Sequence, residues 1–226
     1  MNSQELAAAA LELLLRQYRL TMRNSEKFSL VLCGGRGPQS LYRLLAEKSV
    51  SNQINWQKVH VFWSDERCVS PGDARSNFKL AEDLFLKQVA IPKSNVHPII
   101  CGDSAAAAAK EYEIQLRNYF KNTPPHFDLM LLGLGEDGHT ASIFPESSAL
   151  SESTKWVVAA KKQAENISRI TLTFPIINQA RQILVLVSSS SKDSILKQAL
   201  APAGTTLLPA QLIQPKDGSL HWLVAE

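Results

Sequence analysis

Short apolar runs alternate along this chain with longer stretches of helical spacing, and the runs end in glycine or charge. Phe28-Ser29-Leu30-Val31-Leu32-Cys33 stops at Gly34-Gly35. Val59-His60-Val61-Phe62-Trp63 stops at Ser64-Asp65-Glu66-Arg67. Phe127-Asp128-Leu129-Met130-Leu131-Leu132 stops at Gly133-Leu134-Gly135. Short, nearly continuous apolar runs read as strands buried on both faces. Lys155 to Ala160 and Ile183 to Val187 read as two more strands, and Val96 to Ile99 as a short one. Helices are expected over residues 3–22, with Leu6, Ala9, Ala10, Leu13, Leu14 and Tyr18 on one stripe, and from Pro38 through Leu41, Leu44 and Leu45. Three more are expected from Asn77 to Val89, Ala105 to Phe120 and Ser191 to Leu200. This alternation predicts an α/β fold: a mostly parallel, Rossmann-like sheet with helices on both faces. Without a linker or internal repeat, one domain over residues 1–226 is expected.

In such sheets a ligand sits outside the carboxyl ends of the strands. Four polar or glycine-rich segments fall there: 34–38, 64–67, 133–139 and 188–192. Gly34-Gly35-Arg36-Gly37-Pro38 joins a strand to a helix, so its amides suit an anion; a plain turn is the alternative. In the third segment His139 follows Asp137 by two residues. An imidazole takes a proton from water near neutral pH, and a carboxylate orients it. The stretch Gly133 to Gly138 also matches G-x-G-x-x-G. Glu136 and Asp137 argue against a dinucleotide there, because they put two negative charges where a pyrophosphate would lie. Asp65, Glu66 and Arg67 are either a solvated turn or part of a site, and Arg75-Ser76-Asn77 is either a helix cap or part of a site. Arg169 and Lys192 are candidate phosphate partners, each alone also readable as a surface cation.

The bulk numbers narrow the field. With 45% hydrophobic and 20% charged residues the chain is an ordinary globular one. A net charge of +3 and no basic run exclude nucleic acid as a partner but leave room for a small anionic ligand. Ala7 to Leu11 lies between Glu5 and Glu12 with no preceding cation, so it reads as a helix rather than a signal peptide, and no run is long enough for a bilayer. Cys33, Cys68 and Cys101 form no C-x-x-C pair, so free thiols and the cytoplasm are expected. The five histidines are scattered without H-E-x-x-H, and no metal site is expected. Without a Gly-x-Ser-x-Gly elbow a serine-hydrolase triad has no anchor.

Four blocks resemble the 6-phosphogluconolactonase family, which is related to glucosamine-6-phosphate isomerase/deaminase. They are Gly34 to Pro38 with Leu41-Tyr42; Trp63 to Val69 with Ser76-Asn77; Phe127-Asp128 through Gly133 to Pro145; and Arg169 to Thr173. The third block is the most specific, and its Ser142-Ile143-Phe144-Pro145 ending resembles the lactonase branch rather than the deaminase branch. The resemblance implies hydrolysis of 6-phospho-D-glucono-1,5-lactone to 6-phosphogluconate in the pentose phosphate pathway. It implies His139 as general base with Asp137, and Asp65 and Arg67 in the catalytic set, Arg67 against the oxyanion. Gly34, Gly35, Arg36, Gly37, Glu66, Arg75, Arg169 and Lys192 are then the expected substrate contacts. No cofactor or metal is implied, and a monomer or small homo-oligomer is expected. Two departures stand out: Arg36-Gly37 occupies the place of the family's Ser-Thr, and Ser188 to Ser191 that of a glycine-containing segment. A deaminase/isomerase and a non-catalytic sugar-phosphate binder remain as rivals.

Overall fold

The three apolar runs ending in glycine or charge lie side by side. The computed structural model describes every residue except 103, 122–124, 164, 189–191, 203–206 and 226. Helix α1 (Ser3–Thr21) leads to β1 (Phe28–Leu32). Helix α2 (Gln39–Ala46) and the single turn α3 (Lys48–Ser51) return the chain to β2 (Val59–Trp63). One residue later comes β3 (Asp65–Arg67), then α4 (Asn77–Ala81), which continues as a π-helical turn to Leu86, and α5 (Ala105–Tyr119). The order closes with β4 (Leu129–Gly133), β5 (Val157–Lys161), β6 (Ser168–Leu172), the turn α6 (Phe174–Ile177), β7 (Gln182–Ser188), α7 (Asp193–Leu200) and β8 (Ser219–Ala225).

Five strands form a wholly parallel sheet in the order β2-β1-β4-β7-β8. All of β1 and Leu129 to Leu132 of β4 are buried, so these runs need no polar alternation. Helix α1 lies against β7 and β8, with α2 beside it. Its buried stripe is Leu6, Ala7, Ala10, Leu14, Leu15 and Tyr18, rotated slightly from the expected one. Asn2 caps it by accepting the amides of Gln4 and Glu5, and the Glu5 carboxylate accepts the Asn2 amide in return. The α/β class and the mostly parallel sheet flanked by helices agree with the sequence. No described helix is long and apolar enough to cross a membrane.

A second, antiparallel sheet has three strands in the order β3-β6-β5; β5 is the strand expected at Lys155 to Ala160, while β3 and β6 were not announced by apolar runs. The chain crosses into it at Ser64, which is fully buried. The Ser64 amide donates to Leu32 of β1 and its carbonyl accepts from Leu172 of β6, each at 2.8 Å. One hydrophobic cluster runs through both sheets, including Ile170 and Leu172 of β6. The expected strand at Val96 to Ile99 is only an isolated bridge from Val96 to Val61, because Pro98 offers no amide to extend it.

The expectation of three free thiols is corrected. Cys68, just past β3, and Cys101 form a disulfide with Cα atoms 5.1 Å apart. The bridge between Val96 and Val61 carries the segment before Cys101 alongside β2, bringing together residues whose spacing carried no signal. Cys33 alone is free, and its burial at the end of β1 pushes the thiol pKa far up.

Candidate active site

After β4 the chain turns back on itself, with the Gly135 amide donating to the His139 carbonyl at 2.8 Å. The imidazole Nδ1 is hydrogen-bonded to Asp137 Oδ1, which also accepts the His139 amide at 3.2 Å. A Cβ on Gly135 would lie 2.0 Å from Nδ1, so glycine leaves the space the ring fills. Phe144 packs against the ring at 4.8 Å. Burial opposes ionisation of Asp137, but the hydrogen bond and charge of His139 outweigh it and hold the carboxyl at about 2. When the imidazole is neutral, an ionised Asp137 holds its proton on Nδ1 and leaves the lone pair on Nε2. The loop is braced from the small sheet: the Ser142 amide donates to Thr171 Oγ1 at 3.1 Å, and Ser142 Oγ donates to Asp65 Oδ2 at 2.6 Å.

The small sheet supplies charge directly from its strands. Its register sets Asp65 opposite Thr171, Glu66 opposite Ile170 and Arg67 opposite Arg169. The period-two alternation puts Asp65 and Arg67 on the cavity side and Glu66 behind them. Like charges directly across a sheet are destabilising by themselves. Each guanidinium is anchored through one terminal nitrogen: Arg67 Nη1 donates to the Arg75 carbonyl at 2.6 Å, and Arg169 Nη2 donates to Glu165. The Nε of both is buried and lacks a partner among the described residues. Two cationic donors left open beside one cavity fit an anion.

The large sheet contributes through loops. Gly35 has φ +86°, and nothing lies within 4 Å of where its Cβ would be, so the turn leaves open space. The amides of Gly35, Arg36 and Gly37 make no hydrogen bond to the described residues, and Arg36 is exposed. Lys192 is half-buried and donates to the Leu134 carbonyl at 2.6 Å; burial, then the charge of Arg36, lower its pKa. A cavity of about 190 Å³ brings together Gly34 to Gly37, Asp65, Arg67, His139, Arg169 and Lys192. A larger groove of about 820 Å³ between α5 and β5 offers no imidazole. Its Glu113 is already bound to Arg117 and to the amides of Trp156 and Val157.

Three expected site residues stand outside that cavity wall. Asp137 lies behind His139. Glu66 caps α4, accepting the amides of Asn77 and Phe78 and the hydroxyl of Ser76. The Arg75 guanidinium is exposed and held by Asp73, and Arg75 meets the cavity wall through its carbonyl, which accepts from Arg67. Conversely, Asn77 lines the cavity and donates to Asp65 at 3.1 Å, a role hidden behind its reading as a cap. Ser142 and Thr171 lay inside the recognised blocks, but nothing in their spacing marked them as braces. Ser189 to Ser191 lie outside the described residues.

Residues 1–222 match the family described as glucosamine-6-phosphate isomerases/6-phosphogluconolactonase. The chain belongs to that family. A 6-phosphogluconolactonase of a Nostoc species is 37% identical over 97% of this chain and 90% of its own length. One from Synechocystis is 38% identical over 99% and 92%. The solved 6-phosphogluconolactonase from Trypanosoma cruzi superposes with a TM-score of 0.89, at 27% identity over 99% of this chain and 91% of that one.

Proposed function

We propose that the protein hydrolyses 6-phospho-D-glucono-1,5-lactone to 6-phosphogluconate, a step of the pentose phosphate pathway. The observation that carries this reading is one cavity with a carboxylate-held imidazole and a cross-strand arginine pair on its wall. The names of the cyanobacterial relatives support the same substrate.

In this reading the phosphate lies against Arg169, Lys192, Arg36 and the Gly35 to Gly37 amides, where cations and unpaired donors converge. His139 Nε2 takes a proton from water, which attacks the lactone carbonyl. Arg67 faces the oxyanion that forms. The carbonyl re-forms, the ring oxygen leaves, and the proton on Nε2 passes to it. Asp137 stays ionised throughout and stabilises the imidazolium. Asp65, held by Ser142 and Asn77, fixes the wall beside Arg67. The enzyme acts in the cytoplasm as a monomer or small homo-oligomer, with a small molecule as its only partner.

Proton release from freshly generated lactone tests this. The protein is expected to raise the rate well above spontaneous hydrolysis. A rate equal to the spontaneous one, or ammonia release from glucosamine 6-phosphate instead, would overturn the assignment.

A further inference from the structure

We propose that Glu165 is a positioning residue: it holds Nη2 of the Arg169 guanidinium so that the group stays on the cavity wall with its remaining edge turned to the substrate phosphate. The inference rests on the reading of Arg169 as a phosphate contact. Glu165 sits on the turn between β5 and β6, four residues before Arg169, and its carboxylate Oε2 accepts from Arg169 Nη2. The Arg169 side chain is only 10% exposed, and Glu165 is its one hydrogen-bond partner among the described residues. Nε shares an edge of the guanidinium plane with Nη2 and is buried without a partner, while Nη1, away from that edge, makes no hydrogen bond to the described residues. Arg169 forms part of the cavity wall and Glu165 does not.

Charge explains why such an anchor is needed. Arg67 stands directly across the ladder from Arg169, and two guanidinium groups at that spacing repel. Arg67 is restrained by the Arg75 carbonyl. Arg169 has no equivalent backbone acceptor among the described residues, and Glu165 supplies both the acceptor and a compensating charge. Lys162 Nζ lies 3.7 Å from the same carboxylate and adds a second cation to it. A guanidinium tethered at one edge loses little freedom when the other edge meets phosphate, which is how preorganisation improves binding.

A competing picture has the opposite sign. If Glu165 merely occupied Arg169 in place of the phosphate, removing it would tighten substrate binding.

The experiment measures kcat and KM for the phosphorylated lactone in Glu165→Ala, Glu165→Gln and Arg169→Ala, beside an unphosphorylated lactone. Glu165→Ala is expected to raise KM about three- to tenfold with kcat within about twofold, because one supporting charge-assisted bond is lost. Glu165→Gln keeps an acceptor at the same place and is expected to restore KM to within about twofold of the parent. Turnover of the unphosphorylated lactone should not change in either. An unchanged or lowered KM in Glu165→Ala overturns the proposal, as does a glutamine variant as impaired as the alanine one. If Arg169→Ala raises KM and Glu165→Ala does not, the positioning role alone falls. If Arg169→Ala leaves KM unchanged, the phosphate reading falls with it.

Discussion

The two sheets of this molecule contribute to its cavity in opposite ways. The five-stranded sheet is almost entirely apolar within its strands and delivers its polar groups on the loops that follow them: Gly34 to Gly37 after β1, His139 after β4, Lys192 after β7. The three-stranded sheet carries Asp65, Arg67 and Arg169 on the strands themselves and restrains them with neighbours. Parallel strands buried on both faces leave only their ends for chemistry. A short antiparallel sheet with one face on the cavity can place charge by alternation. In the proposed mechanism the loops bring the base and backbone donors, while the strands bring fixed cations.

The largest expected effect isolates the loop contribution. His139→Ala should lower kcat by about 10²–10⁴ while leaving the thermal transition near that of the parent, since loss of a general base costs that much. A folded variant with near-normal kcat would remove His139 from the chemistry.

The next concerns how the small sheet is tied down. The Cys68–Cys101 disulfide closes a 33-residue separation between the end of β3 and the segment beside β2. A Cys68→Ser, Cys101→Ser double variant should lose about 3–4 kcal/mol of stability by the chain-entropy estimate for such a loop. Denaturant melts and a thiol titration of the parent check this. Three reactive thiols in the unfolded parent would contradict the bridge.

The large sheet has its own pH sensitivity, away from the cavity. His60 on β2 hydrogen-bonds His97 at 3.1 Å, and His97 meets Gln115 at 3.3 Å. Burial, with Lys27 adding to it, lowers His60 to about 4; burial, His60 and Lys27 do the same for His97. Between pH 6.5 and about 4 the unfolded chain therefore binds protons that the folded one refuses. Stability is full above that window and falls as pH drops through it. Tm measured at pH 7.5, 5.5 and 4.5 should show this decline, and His97→Gln should flatten it. Equal slopes in both proteins would contradict the assignment.

The smallest effect is at Arg36, the exposed cation of the first loop. If it pairs with phosphate, Arg36→Ala should raise KM by a few-fold, roughly the effect of one exposed ionic contact. Arg36→Ser with Gly37→Thr should then stay near the parent. An unchanged inhibition constant for inorganic phosphate in Arg36→Ala would end that role.

How much was legible in the sequence follows the same division. The large sheet was readable because continuous apolar runs have few other uses, and its loops were readable because glycine and charge marked where the runs stopped. β8 escaped because as an edge strand it is mostly half-exposed and mixes Ser219, His221 and Trp222 with its aliphatics. Of the small sheet only β5 was readable; β3 escaped because it is three charged residues, and β6 because it mixes Arg169 and Thr171 with its core positions. The His139 loop, Arg67, Arg169 and Lys192 were all named from sequence. Glu66 and Arg75 were expected as substrate contacts from the family resemblance, but alternation and Asp73 direct their side chains elsewhere. Glu165 lay in a turn where nothing distinguishes an anchor from a solvated acid.

The division of labour between the sheets is tested most directly by kcat and KM of Arg169→Ala on phosphorylated and unphosphorylated lactone, measured side by side. Loss of a charge-assisted phosphate contact costs roughly 1.5–3 kcal/mol, so KM for the phosphorylated lactone should rise about ten- to 150-fold with kcat largely kept. The unphosphorylated lactone should barely respond. Equal losses on both lactones, or a fall in kcat with KM unchanged, would show that the strand-borne arginine serves the reacting carbonyl rather than the phosphate, and would contradict the account.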